Sequence, residues 1–97
     1  MTTSREINAK RKSGDLDGAY QDALDLKNSG SIDKWGFMAL AWCLYELIKR
    51  DLQQENINVP RIKNNLYEYL QLPIEEKPSL IHSQMLRLAS ILAKANS

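Results

Sequence analysis

The sequence contains little cysteine, little histidine and almost no net charge. One Cys and one His among 97 residues exclude a disulfide framework and provide too few ligands for a structural zinc site. Thirteen Lys and Arg residues against twelve Asp and Glu residues give a formal net charge of +1, far from the positive field typical of nucleic-acid-binding proteins. The composition therefore predicts no metal, no cofactor and no particular class of charged partner.

Long apolar runs are also absent. No segment approaches the length of a membrane-spanning helix, and residues 1–6 lack the apolar core of a secretory signal. The single Cys43 lies in an apolar segment, where a buried and reduced thiol is expected. These features predict a cytoplasmic protein without a membrane partner, folded as one domain over residues 1–97.

Apolar residues recur with helical spacing in five segments, and no segment shows the alternation of a strand. The predicted helices cover residues 4–12, 16 to about 28, about 31 or 33 to 53, about 59 to 72, and a last segment from about 79 almost to residue 97. Gly14 with Asp15, and Asn58 with Pro60, provide stop and cap signals between them. The third segment is apolar on two sides, which predicts the central helix of the domain. The fourth is expected to bury one stripe: Val59, Ile62, Leu66, Tyr69 and Leu70.

One apolar motif occurs twice at identical spacing. Phe37, Leu40, Ala41 and Leu44 in the third helix recur as Met85, Leu88, Ala89 and Leu92 in the last helix. Short turns join successive helices, so neighbouring helices are expected to be antiparallel. The sequence thus predicts an all-α fold of about five antiparallel helices, arranged as an α-hairpin stack or a small bundle.

These motifs resemble the tetratricopeptide repeat, whose pattern is W-x₂-L-G-x₂-Y followed by A-x₃-F and P. Phe37, Leu40, Ala41 and Leu44 take the W, L, G and Y places of a first helix. The segment Gly14–Ala19 takes the place of the turn and the opening of a second helix. Ala23 stands where the pattern has Phe, and no Pro follows Leu26, so the resemblance is to a degenerate repeat. It implies a right-handed solenoid fragment that presents a helical face to protein or peptide partners.

Residues 11–16, 39–45 and 76–83 together resemble the opening of an uncharacterised family of longer bacterial proteins with tetratricopeptide-like N-terminal regions. The resemblance spans most of the chain and leaves open whether residues 1–97 are a whole protein or the N-terminal part of a longer one. Some relatives belong to bacterial defence or conflict systems. A small accessory or regulatory protein of such a system is therefore a weaker alternative function.

The residue types around His82 permit a catalytic interpretation. Glu75, Glu76, Ser79 and Ser83 lie close to it in the sequence, so a Ser/His/acid set can be written down. Ser79, however, is expected to cap the last helix, and His82 is its neighbour in the first turn. We therefore expect no catalytic residue and no enzyme.

Basic clusters provide the alternative function of nucleic-acid binding. The residues concerned are Lys10, Arg11, Lys12, Arg61 and Lys63, which would contact phosphates. Carboxylates lie near each cluster in the sequence, which favours solvated helix faces. Nucleic acid is therefore not the expected partner.

Exposed apolar side chains on the third and last helices favour a protein partner. Trp35 and Tyr45 have polar neighbours and are the aromatic residues best placed for contact. On the last helix, Leu80, Leu86, Ile91 and Ala93 broaden the apolar surface, and no further helix follows to cover it. The predicted partner-binding residues are Trp35, Tyr45, Leu86 and Ile91, with a homodimer through residues 80–93 as one form of the interaction.

Overall fold

The computed structural model describes residues 3–73 and 79–95, and within them the chain forms five α-helices and no strand. The helices are α1 (Ser4–Lys12), α2 (Leu16–Asn28), α3 (Lys34–Leu52), α4 (Val59–Leu70) and α5 (Ser79–Ala95). The prediction of an all-α bundle of about five helices is therefore confirmed.

Short polar side chains begin the first four helices. Each accepts a hydrogen bond from the backbone N–H three residues further on, which satisfies one of the free donors of the first turn. These N-caps are Thr3, Asp15, Asp33 and Asn58. Gly14 and Gly30 have φ values of +100° and +76°, a backbone region that other residues rarely adopt, and each follows the end of a helix. The stop and cap signals in the sequence are thus confirmed for α1, α2 and α4.

Helix α3 is the centre of the molecule. It packs against all four other helices, while α1 also contacts α2 and α4 also contacts α5. Its buried residues are Gly36, Ala39, Leu40, Ala41, Cys43, Leu44, Leu47, Ile48 and Asp51. The prediction that the third segment is the central helix is confirmed, because a helix with neighbours on several sides must be apolar on several sides.

The buried stripe of α4 is narrower than the sequence predicts. Ile62, Leu66 and Tyr69 are buried, but Val59 and Leu70 are 40% and 38% exposed. Val59 lies in the first turn of α4, and Leu70 is turned about 100° around the helix from Tyr69. The prediction for these two residues is therefore wrong, and Leu72, just after the helix, fills the core instead.

Candidate interaction surface

The exposed edge of α3 carries side chains spaced alternately three and four residues apart. They are Trp35, Met38, Trp42, Tyr45, Lys49 and Leu52, here called the α3 stripe. Trp35 is 60% exposed and Leu52 is 43% exposed, while the residues between them are half-buried except for the exposed Lys49. The rings of Trp42 and Tyr45 lie nearly perpendicular to each other, with centroids 6.0 Å apart. The stripe is thus one continuous row along the whole helix.

A cavity of about 280 Å³ lies on one side of the α3 stripe, between α1 and α3. Its walls include Trp35, Met38 and Trp42 from α3, together with Asn8, Arg11 and Lys12 from α1. The Arg11 guanidinium lies 5.5 Å from the centroid of the Trp42 ring and donates a 2.9 Å hydrogen bond to Glu46. The aromatic and cationic groups of this cavity are therefore held together by direct contacts.

A second cavity, of about 120 Å³, lies on the other side of the stripe, between α3 and α5. Tyr45, Ile48, Lys49 and Leu52 line it from α3, and Gln84, Met85 and Leu88 line it from α5. The Tyr45 hydroxyl donates a 2.9 Å hydrogen bond to the Gln84 side-chain oxygen, and Lys49 Nζ lies 6.0 Å from the centroid of the Tyr45 ring. Polar groups thus surround an apolar depression.

The exposed apolar residues of α5 lie on two separate flanks of the helix. Leu80, Leu86 and Ile91 are 62%, 49% and 54% exposed. Leu86 and Ile91 are five residues apart and so are turned by about 140° from each other. Ile91 lies on the side of Gln84, which contacts α3, whereas Leu86 lies nearer the side of His82, which contacts α4. Of the predicted partner residues, Trp35 and Tyr45 lie in the α3 stripe, Ile91 lies on the flank of α5 towards α3, and Leu86 lies on the other flank.

The basic residues predicted for nucleic acid are largely engaged with carboxylates. Lys10 Nζ lies 2.6 Å from Asp22, a contact that raises the pKa of Lys10, and Arg11 is paired with Glu46. Arg61 donates hydrogen bonds of 2.9 and 2.6 Å to Asp51, whose side chain is only 2% exposed.

The two basic clusters also stay apart. Among the described helices, α1 and α4 are not a contacting pair. The structure therefore does not join Lys10, Arg11 and Lys12 to Arg61 and Lys63 in one patch.

The single histidine contacts a tyrosine. His82 Nδ1 and the Tyr69 hydroxyl are 3.1 Å apart, and burial raises the pKa of Tyr69 to about 12. Ser83 donates its hydroxyl hydrogen to the backbone oxygen of Leu80 rather than to His82. Glu75 and Glu76, the acidic part of the catalytic interpretation, lie outside the described residues.

Polar contacts between separate helices are not predicted by the sequence pattern. Besides Arg61 with Asp51 and Tyr69 with His82, the Tyr20 hydroxyl donates a 2.7 Å hydrogen bond to Glu68. Burial, reinforced by Glu68, raises the pKa of Tyr20. None of these pairs follows a short-range spacing, so no local signal marks them. The α3 stripe does have a local signal, because its residues are spaced three and four positions apart. Lys49 keeps this spacing but is the one charged residue in the row.

Chemically reactive groups are scarce in this surface. Cys43 is fully buried, and burial raises the pKa of its thiol to about 11. Within residues 3–73 and 79–95, no three His, Cys, Asp or Glu side chains are grouped as a metal site requires. None of the helices in the described part of the chain is both long and apolar enough to cross a bilayer.

Comparison of the chain with protein-family models, with curated proteins and with solved structures finds no match.

Proposed function

We propose that the protein is a non-catalytic protein-interaction module that self-associates through α5. One observation supports this most directly. Ile91 in α5 occupies the place in the repeated motif that Cys43 occupies in α3, and Cys43 is fully buried whereas Ile91 is 54% exposed. A large aliphatic side chain at that place loses favourable burial unless another surface covers it.

The pairing of the helices supports a tetratricopeptide-like stack as the scaffold. Each odd-numbered helix packs against the next odd-numbered helix, and each even-numbered helix packs between its two neighbours in the chain. Among the described helices, α5 packs only against α3 and α4, so its other side has no neighbour in this part of the chain. The side of α5 opposite the buried Met85 is polar, with Ser83, Arg87 and Ser90 exposed, and the exposed Leu80, Leu86 and Ile91 lie on the flanks of this side.

A second copy of the chain is the proposed partner for α5, because two-fold pairing of one patch is the commonest oligomeric arrangement. Size-exclusion chromatography with light scattering over a wide concentration range tests this. We expect a dimer that dissociates on dilution. Ile91→Glu and Leu86→Glu place a charge on opposite flanks of α5, so the variant that abolishes the dimer identifies the flank that is used.

Ser31→Glu is the control, since it adds the same charge at an exposed polar position outside α5. It should leave the dimer intact. A monomer at all concentrations, or equal effects of all three substitutions, would contradict self-association through α5.

Nucleic-acid binding through Lys10, Arg11, Lys12, Arg61 and Lys63 stays an alternative hypothesis. Carboxylates already neutralise three of these five residues, so little charge is left for phosphates. Fluorescence anisotropy with a labelled oligonucleotide at increasing salt tests it. Binding that weakens steeply with salt would support the alternative, and no binding at low salt would remove it.

A further inference from the structure

The α3 stripe has the spacing of a coiled-coil seam. Trp35, Met38, Trp42, Tyr45, Lys49 and Leu52 occupy successive a and d positions of a heptad pattern. Inside a folded bundle such a row packs against another helix, yet here its ends, Trp35 and Leu52, are 60% and 43% exposed. From residue 35 to residue 52 the row is about 26 Å long, enough for about five turns of a partner helix.

The geometry on both sides of the row also suits a helix. Cavities of about 280 and 120 Å³ flank the stripe, one towards α1 and one towards α5. A partner side chain that packs between stripe residues could extend into either cavity, as knobs pack into holes in coiled coils. The shallow, two-sided surface favours a helix over a small molecule, which binds in an enclosed pocket.

The charges around the stripe determine the chemistry of the partner. Lys12, Lys34 and Lys49 lie along it, and no carboxylate among the described residues pairs with any of them. Lys34 and Lys49 lie over aromatic rings of the stripe, with Nζ 4.9 Å from the centroid of Trp35 and 6.0 Å from that of Tyr45. Glu46, which follows Tyr45 in α3, accepts a hydrogen bond from Arg11. The row is therefore apolar except for Lys49, and Lys12 and Lys34 lie beside its first part.

We propose that the α3 stripe binds an acidic amphipathic helix of another protein, with aliphatic residues at heptad spacing along the stripe and Glu or Asp residues opposite the lysines. This names a partner class for the proposed interaction module and rests on that function. It uses α3 rather than α5, so the two proposals can fail separately. Apolar contacts to Trp35, Trp42 and Leu52 provide affinity, and the lysines select acidic partners over basic ones.

Both tryptophans of the chain lie in the stripe, so intrinsic fluorescence reports directly on its occupation. The probe is a synthetic peptide of about three heptads with Leu at a and d, Glu at e and g, and no tryptophan. A second peptide with Lys in place of each Glu is the charge control. We expect saturable binding of the Glu peptide by the full chain, and binding of the Lys peptide at least about tenfold weaker.

Variants of exposed residues locate the binding surface. Trp35→Glu should weaken binding of the Glu peptide more than about tenfold, because exposed aromatic anchors dominate interfaces. Lys49→Glu should weaken binding of the Glu peptide about fivefold and reduce the difference in affinity between the Glu and Lys peptides. Lys27→Glu changes the net charge equally on exposed α2, away from the stripe, and should have no effect. Circular dichroism and thermal melting establish that each variant is folded.

Several results would overturn the inference. They are no saturable binding of the Glu peptide to the folded protein, equal binding of the Glu and Lys peptides, or equal losses for Lys49→Glu and Lys27→Glu. Leu86→Glu separates the two proposals, because it lies on the far flank of α5 and should retain peptide binding. Retained peptide binding in Leu86→Glu supports the assignment to α3 whether or not this variant dimerises, and lost peptide binding contradicts it. Dimerisation is scored separately, with Leu86→Glu and Ile91→Glu.

Discussion

The same apolar motif occurs in α3 and in α5, but the two copies differ in burial. In α3, Leu40, Ala41 and Leu44 are completely buried. Their counterparts Leu88, Ala89 and Leu92 in α5 are only partly buried, although Met85 is buried at 1% exposure. Helix α3 packs against four helices, whereas α5 packs against α3 and α4. Burial therefore depends on the number of neighbours and not on the local pattern alone.

The largest expected difference comes from introducing a charge at matched positions of the two copies. Leu40→Asp should cost at least about 5 kcal/mol, comparable with the whole stability of a small domain, because it buries an unpaired charge and leaves a cavity. Leu88→Asp should cost about 2 kcal/mol, because its side chain already reaches solvent. Helical circular dichroism and urea unfolding measure both effects. Equal losses, or an unchanged melting temperature for Leu40→Asp, would contradict the central position of α3.

The end of α3 provides the next comparison, between an ion pair whose carboxylate is buried and an exposed ion pair. Arg61→Ala leaves the buried Asp51 carboxylate, near the negative end of the α3 dipole, without its partner and should cost about 3 kcal/mol. Arg50→Ala removes a pair with Asp17, whose side chain is 77% exposed, and should cost less than about 1 kcal/mol. Urea unfolding at neutral pH compares them. A larger loss of stability for Arg50→Ala than for Arg61→Ala would contradict this comparison.

Thiol chemistry can compare the equivalent positions 43 and 91. Cys43 is completely buried with a raised pKa of about 11, so it should react with a disulfide reagent only when the fold opens. An Ile91→Cys, Cys43→Ala double variant exposes its single thiol on α5 and should react roughly a hundredfold faster at low protein concentration. The labelling rate at neutral pH is the measurement. Similar rates would show that the two positions do not differ in accessibility.

The smallest effect on stability is expected for the exposed ion pair between Arg50 and Asp17. Hydrogen bonding from Arg50 lowers the pKa of Asp17 below its ordinary value of 3.8. The contribution of the pair is therefore present above that value and is lost as the pH falls through the lowered pKa of the folded state. Asp17→Asn should reduce stability by less than about 1 kcal/mol at pH 7, and the difference should shrink in acid. A difference that grows as the pH falls would contradict this assignment.

Much of the fold follows from short-range sequence signals. Asp15, Asn58 and the turn glycine Gly14 act on groups only a few residues away, so their roles can be predicted from spacing. The exposure of Leu70 and the contact of Arg61 with Asp51 depend on how whole helices pack, and no local pattern specifies that. Leu86 and Ile91 are a different case, because their separation of about 140° follows from helix geometry alone and could have been predicted from their spacing.

Amide hydrogen exchange in α3 and α5, followed at low and high protein concentration, tests the account most directly. In dilute solution the amides of α5 should be less protected than those of α3, because one outer side of α5 is uncovered. At high concentration, a second copy should cover α5 and reduce the difference in amide protection between α5 and α3. If α5 is as protected as α3 in dilute solution, its outer face is already covered within one chain, and the account is contradicted.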